Sequence, residues 1–525
     1  MLRKAKKCLN WQLFVIVVLT ITVSKLEGQV KKPNIIFIMS DDHAVKAISA
    51  YSNKLIKTPN IDRLAKEGMI FNRGYVTNSL CAPSRAAMLT GKYSSKNGLR
   101  DNRDEFDGSQ QTFPKLLRKA GYQTSIIGKW HLKTEPTGFD NYKILLGQGE
   151  YYNPRFLENG DTNRYIGYTT DLITNFALKE LEKASSRKQP FALLVYHKAP
   201  HRNWLPNPKY FGAFDSVNIP LPLTFDDEYH TRKPAAHADM RVDGMYLSYD
   251  LKLNKGSYKK ETGTGGLKWF AERAEQFWEN NLKRFTPQQR QAWDAYYDKV
   301  NADFKNANLS GNDLLRWKYK RYMTDYLSCI LSVDESVGKI LDFLDAHNLS
   351  QNTIVVYTSD QGFYLGEHGW YDKRWMYEES FRTPILIRYP EKIKPNSVSD
   401  DFVMNIDFAP TFLDYTGIPV PKDIQGESIR NILEGKPHPN WRKSMFYHYY
   451  EYPHGWHLVK QHYGIRTERY KLIYFYKDDY WELFDLKNDP HELSNIYCAM
   501  ENTELVKNLK EELKKLRAKY GDTDD

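Results

Sequence analysis

The chain reads as an α/β protein: a large mixed β-sheet sandwiched by helices, followed by a smaller C-terminal subdomain of antiparallel sheet plus helix. Three observations lead there. Short apolar runs with β-branched members alternate with capped helical stretches, the pattern of strands buried on both faces. Four of those runs end in polar residues able to do chemistry. After about Lys436 the alternation gives way to closely spaced, Tyr-rich strand segments and one terminal helix. The 525 residues suffice for a large core and more than one domain. The division expected is a leader at 1–28, a main domain at 29–436 and a C-terminal subdomain at 437–525.

The leader has Arg3, Lys4, Lys6 and Lys7 ahead of an apolar run from Leu13 to Val23, then a polar stretch ending at Gly28. The run is shorter than the roughly 20 residues that span a bilayer. It reads as a signal peptide, so a secreted or periplasmic protein without stable membrane insertion is expected. Removing it lowers the net charge of +10 to about +6. That excess suits an anionic substrate and is too diffuse for nucleic acid. Cys81, Cys329 and Cys498 then remain, too few for a disulfide framework and enough for one pair at most. No pattern in the sequence sets an oligomeric state.

In chain order, Asn34 to Ser40 is the first buried strand and runs into Asp41 and Asp42. Thr58 to Gly68 is a helix with Thr58 as N-cap, Pro59 in its first position and Gly68 as its stop. Gln123 to Ile127 is a strand leading to Lys129 and His131, and Phe191 to Tyr196 one leading to His201. Residues 202–312 read as an insertion of loops and short helices, one within Gly266–Lys283 and one from Pro287 to Phe304. Trp317 to Leu349 reads as a long amphipathic helix, either continuous or broken once, with Val333, Val337, Ile340, Leu341 and Leu344 on its apolar face. Thr353 to Thr358 is a strand that ends in Asp360 and Gln361, and Pro384 to Tyr389 is another. Four short strands between Met445 and Asp485 and a helix from Glu501 to Tyr520 close the chain.

Chemistry gathers where strands end, and in open α/β sheets the functional crevice lies outside the carboxyl ends of the strands. Asp41, Asp42, Asp360 and Gln361 offer hard oxygen donors that suit Ca²⁺, with Mg²⁺ second, rather than zinc. Lys129, His131 and His201 add groups for binding an anion and moving protons. Leu80 to Gly91 reads as a loop entering a helix, with Cys81 at the helix N-terminus and Arg85 one turn on. That position favours an anion beside a reactive atom. An unmodified thiol, however, is a poor partner for Ca²⁺.

Cys81-Ala82-Pro83-Ser84-Arg85, with Thr90-Gly91 behind it, resembles the signature of the type I, formylglycine-dependent sulfatases of the alkaline-phosphatase superfamily. The blocks at Asn34–Asp42, Gly128–Leu132, Ala199–His201 and Thr358–Gly362 resemble the family's other motifs in the same order. The resemblance implies that a sulfatase-maturating enzyme converts Cys81 to formylglycine (3-oxoalanine). The hydrate then supplies an oxygen nucleophile and a hard metal ligand. It implies Ca²⁺ on Asp41, Asp42, modified Cys81, Asp360 and Gln361, the last being Asn in many relatives. Arg85 would hold the hydrate, and Lys129, His201 and Lys373 would contact sulfate. His201 is expected to protonate the leaving oxygen, and His131 to act as the base that releases sulfate.

The stretch Gly366–Trp375 should lie beside the sulfate pocket. Asp372 and Arg374 could bind sugar hydroxyls there with Trp370 or Trp375 stacking, and His454 and His457 could reach over from the C-terminal part. The pairing resembles carbohydrate sulfatases of gut and marine bacteria, especially those that act on sulfated N-acetylglucosamine or similar hexosamine units, so a sulfated carbohydrate is the expected partner. Two alternatives stand beside it: a phosphonate monoester or phosphodiester hydrolase of the same superfamily, and a non-catalytic glycan-binding protein.

Overall fold

The computed structural model describes residues 32–264 and 268–524. The leader at 1–28 lies outside them. Ten strands form the large sheet, in spatial order Ser397–Ser399, Met69–Phe71, Ile385–Arg388, Thr353–Ser359, Asn34–Ser40, Phe191–Tyr196, Gln123–Lys129, Asn141–Leu145, Arg155–Glu158 and Asp161–Arg164. The five from Thr353–Ser359 to Asn141–Leu145 run parallel. Antiparallel pairs flank them, which makes the sheet mixed.

The central strands are apolar without interruption because both faces are covered. Ile36, Ile38, Val355 and Tyr357 enter one core with Val333, Val337 and Leu341 of the long helix and with Ile173, Ala177 and Leu181 of the helix Thr169–Ser185. Ile35, Phe37, Met39 and Val356 enter the opposite core with Ala82, Ala86 and Leu89 of the helix Cys81–Thr90 and with Phe408 and Phe412.

Two local expectations change. The long helix runs unbroken for 36 residues, Gly311–Ala346, and so starts before Trp317. Thr58 does not cap Pro59–Lys66 with its hydroxyl, which bonds to Asp62 at 3.2 Å instead. Asp334 of the long helix takes that place, accepting the backbone N–H groups of Asn60 (3.0 Å) and Ile61 (2.8 Å). A buried carboxylate at a helix N-terminus satisfies orphan donors and meets the positive end of the dipole.

The insertion carries Ala274–Leu282 and Pro287–Ala307, the second opened by a capping box of Thr286 and Gln289. The C-terminal part is a four-stranded antiparallel meander, Ser444–Tyr449, His462–Thr467, Tyr470–Phe475 and Tyr480–Asp485, with the helix Glu504–Tyr520. It is not a detached unit: Phe446, Tyr447 and Phe475 share one apolar cluster with Leu80, Trp370 and Trp375. Cys81, Cys329 and Cys498 are all free, so the single pair allowed by their number does not form. No helix among the described residues is long and apolar enough to cross a membrane.

Register aligns the strand ends. Ser40 lies opposite Ser359, while Met39 and Gly128 both lie opposite Tyr196. Asp41, Asp360, Lys129 and the loop 197–201 therefore leave the sheet at one edge.

Candidate active site

Under that edge lies the helix Cys81–Thr90, buried over its whole length. Leu80 is extended at φ −146°, and Gly91 closes the helix at φ 67° with its N–H on the Ala87 carbonyl at 2.8 Å. That left-handed position favours glycine. Ser84 donates to the Asp360 carbonyl and accepts from Asn405 at 2.9 Å, which ties the helix to the strand end.

Nine of the expected residues form one buried polar network. The Cys81 thiol lies 3.5 Å from Asp41 Oδ1 and 3.8 Å from Gln361 Nε2. Arg85 donates to Asp360 Oδ2 through Nε (3.1 Å) and Nη2 (2.8 Å), and to the Lys129 carbonyl through Nη1 (2.6 Å). Lys129 pairs with Asp41, and Gln361 Nε2 donates to Asp42. Lys373 Nζ is 2.7 Å from Asp42 Oδ2. His201 Nε2 is 3.8 Å from the same oxygen, while its Nδ1 is 2.6 Å from the Arg202 carbonyl. A carbonyl only accepts, so Nδ1 carries the proton and Nε2 faces the cluster.

The electrostatics follow from burial and neighbours. Burial alone would raise Asp41, but Lys129, His201, Arg85 and Lys373 outweigh it and hold this carboxylate well below its usual range. Burial pushes Asp42 up to about 7 against Lys373, with Asp41 and Asp360 adding repulsion. Burial and Asp41 push Asp360 up to about 6. Burial, then Lys129, keeps His131 and His201 well below their ordinary value, so both are neutral near pH 7. Burial and Asp41 push the Cys81 thiol up. The thiolate is therefore suppressed, and thiolate nucleophilic chemistry with it.

The residues fit a hard cation. Asp41, Asp42 and Asp360 bring one oxygen each within 4.8 Å of one another. Gln361 Oε1 is buried with no hydrogen-bond partner, and Asp41 Oδ2 meets only the cations Lys129 and Arg85. Crowded carboxylates and an orphaned oxygen are stabilised by a divalent cation with oxygen preference. A modified Cys81 bearing oxygen, in place of the suppressed thiol, would suit the same donor set.

At the rim, Asp372 Oδ1 lies 4.0 Å from Lys373 Nζ and pairs with Arg374. His457 Nε2 is 3.0 Å from Asp372 Oδ2. Burial would raise Asp372, yet Arg374, Lys373 and His457 hold it well below its usual range. Trp370 is not available to a sugar. It is fully buried, stacked on Tyr229 (centroids 5.4 Å) and Trp375 (5.2 Å), and Trp375 is equally buried. Asp372 and Arg374 both take positive φ (80° and 95°), so regular strand alternation does not hold here, and the two indoles pack into the apolar cluster behind the site. His454 lies exposed on its loop, and no hydrogen bond among the described residues ties it to this network.

Several groups escaped the sequence reading. Gln148 accepts from Lys129 at 2.5 Å, and its only signal is the Gly147-Gln148-Gly149 turn, where both glycines have positive φ. Lys198 is buried, with Nζ 3.2 Å from the Gln148 carbonyl and 5.0 Å from the Tyr151 ring centre; burial and Lys129 push it down to about 8. Its signal was its place between a strand end and His201. Glu451 sits 3.4 Å from Arg374 Nε, and nothing local marked it.

Comparison with known proteins gives the family. The sulfatase family model matches residues 33–418, and the model of the N-sulphoglucosamine sulphohydrolase C-terminal region matches residues 366–519. An N-acetylglucosamine-6-O-sulfatase of Bacteroides thetaiotaomicron is 47% identical over 94% of this chain and 88% of its own length. The N-acetylglucosamine-6-sulfatase of Capra hircus is 26% identical over 94% of this chain and 85% of its own. The structure of BT4656 in complex with its substrate D-glucosamine-2-N,6-O-disulfate superposes with a TM-score of 0.88 at 46% identity, covering 94% of this chain and 99% of that one. The two alternatives, phosphonate hydrolase and non-catalytic glycan binder, are set aside. The chain belongs to the sulfatase family, sulfuric ester hydrolases of the alkaline-phosphatase-like fold.

Proposed function

We propose that the protein is an exported carbohydrate sulfatase that removes the 6-O-sulfate from N-acetylglucosamine or N-sulfated glucosamine units of host or marine glycans. The observation that carries the substrate class is the continuous buried chain of Lys373, Asp372, Arg374 and His457. It sets groups suited to ring hydroxyls directly against the cation expected to bind sulfate. The names of the relatives support the same choice.

The residues take definite roles in this reading. Formylglycine at position 81 would supply a hydrated aldehyde oxygen as nucleophile and metal ligand. Asp41, Asp42, Asp360 and Gln361 would hold Ca²⁺ beside it. Lys129, Lys373 and His201 balance the charge of the bound sulfate. Arg85, clamped by Asp360 and the Lys129 carbonyl, keeps its guanidinium at the head of the helix. His201 is neutral in the free protein, and an arriving anion favours its protonated form. Its Nε2 then gives a proton to the departing sugar oxygen. His131, whose Nδ1 is buried without a partner, takes up a proton when sulfate is released.

Sulfate release from defined sulfated mono- and disaccharides tests the substrate, and 6-O-sulfated N-acetylglucosamine should be turned over. Release only from other positions or from aryl phosphonates would overturn the reading. Mass spectrometry of the Cys81 peptide after co-expression with a maturating enzyme tests the nucleophile, and an unconverted thiol in active protein would refute it. N-terminal sequencing of protein recovered from the periplasm or medium should begin near residue 29.

A further inference from the structure

Beside the sulfate site lies a group of aromatic rings that the chemistry above does not use. Tyr246, Phe270 and Ala274 of the insertion form a small core of their own, with Tyr249, Phe277 and Trp456 packed on it. The ring centres of Phe270 and Trp456 are 4.9 Å apart, and those of Trp269 and Trp456 are 6.3 Å apart. Two segments distant in sequence therefore meet through aromatic contact. Trp269 remains 48% exposed on top of that contact, and Trp456 is half-buried. An exposed indole held on a packed base is a large apolar surface, and binding sites commonly use such surfaces.

The rings are fastened to the reaction site on two sides. Arg202 follows His201, whose Nδ1 donates to its carbonyl. The Arg202 guanidinium makes two bonds of 2.7 Å to Asp250, and lies 5.5 Å from the Trp456 ring centre and 5.8 Å from that of Phe270. On the other side Trp456 precedes His457, which holds Asp372. The ledge thus spans from the expected acid to the expected sugar-binding carboxylate.

We infer that Trp269 and Trp456 form a stacking ledge for the sugar next to the sulfated one, so that the enzyme holds a glycan chain more tightly than a lone monosaccharide. The inference rests on the carbohydrate-sulfatase reading and adds a subsite to it. Sugar rings present C–H faces that pack on indole planes. Lys255, Lys259, Lys260, Lys268 and Arg273 are exposed on the same segment, and their charge suits a sulfated, anionic chain.

The test compares one 6-O-sulfated N-acetylglucosamine unit presented as a monosaccharide and at the end of a sulfated tetrasaccharide. Trp269→Ala should lower kcat/KM on the tetrasaccharide about tenfold, through KM, and leave the monosaccharide unchanged. Trp269→Phe should restore most of the loss. An equal loss on both substrates, or none on either, overturns the ledge. Calorimetric titration of the same tetrasaccharide into wild type and Trp269→Ala judges the ledge independently of turnover. If wild type hydrolyses neither substrate, the function proposed above fails, while about tenfold weaker binding by Trp269→Ala still supports the ledge and equal binding refutes it.

Discussion

The floor of the site and its rim are built differently. The floor consists of residues that leave parallel strands in register, Asp41, Lys129, His201 and Asp360, with one helix pressed beneath them. Sheet register places them, and two cores hold them from either face. The rim consists of loops: 366–375, 451–458 and the insertion. It is held by ion pairs such as Asp372 with Arg374 and by stacked rings behind them. A floor set by sheet register serves one reaction on many substrates, while a rim of loops can change without disturbing it.

Substitutions should separate the two. The largest effect is expected at the floor. Cys81→Ala should abolish sulfate release, by at least about 10³-fold, with an unchanged melting temperature. Activity in that variant would remove Cys81 as the source of the nucleophile. Chelation should act similarly, with Ca²⁺ restoring activity better than Mg²⁺. His201→Ala should lower kcat by about 10²- to 10⁴-fold on both aryl and sugar sulfates while sparing calorimetric Ca²⁺ binding. Retained kcat would show that His201 is not the acid. At the rim, Arg374→Ala should cost about 10²-fold in kcat/KM on sugar sulfates and little on a small aryl sulfate. Equal losses on both would show that the rim supports the floor and does not select the sugar. Glu451→Gln, which weakens the hold on Arg374, should show the same split at about tenfold or less.

The same division explains what could be read before the structure. The floor was legible because strands announce themselves by apolar runs and their ends by abrupt polarity; Asp41, Asp42, Asp360 and Gln361 each follow directly on such a run. The rim was legible only in part. Asp372 and Arg374, picked for their nearness to Lys373, do lie beside it, but the same logic selected Trp370, which is packed into the core. Partners brought in from afar left no local trace. Glu451 meets Arg374 from the loop after the strand Ser444–Tyr449, and Asp334 caps a helix 274 positions earlier. Such contacts depend on how layers pack, and periodicity does not encode that.

The smallest expected effect concerns the support behind the rim, and it separates floor from rim by pH. Glu482 of the C-terminal sheet accepts from the Tyr377 hydroxyl at 2.8 Å, and its other oxygen is buried without a partner. Tyr377 in turn stacks on Trp370. Burial pushes Glu482 from 4.5 up to about 8. A carboxyl with a raised folded-state pKa binds its proton more tightly when folded. Its contribution to stability is therefore full below about pH 4.5 and is lost as pH rises through about 8. The loss is on the order of 3 kcal/mol once local relaxation is allowed. Melting temperature measured from pH 5 to 9 should fall by a few degrees more in wild type than in Glu482→Gln, whose amide does not titrate. Glu492, itself pushed up to about 7 by burial, titrates in both proteins and its charge adds to the rise of Glu482, so the difference between the curves reports Glu482 together with its coupling to Glu492. Arg232, which pairs with Asp227, is the cation whose charge opposes the rise of Glu482; parallel curves would mean that its charge keeps Glu482 ionised already at low pH, and the rim's support would then be insensitive to pH.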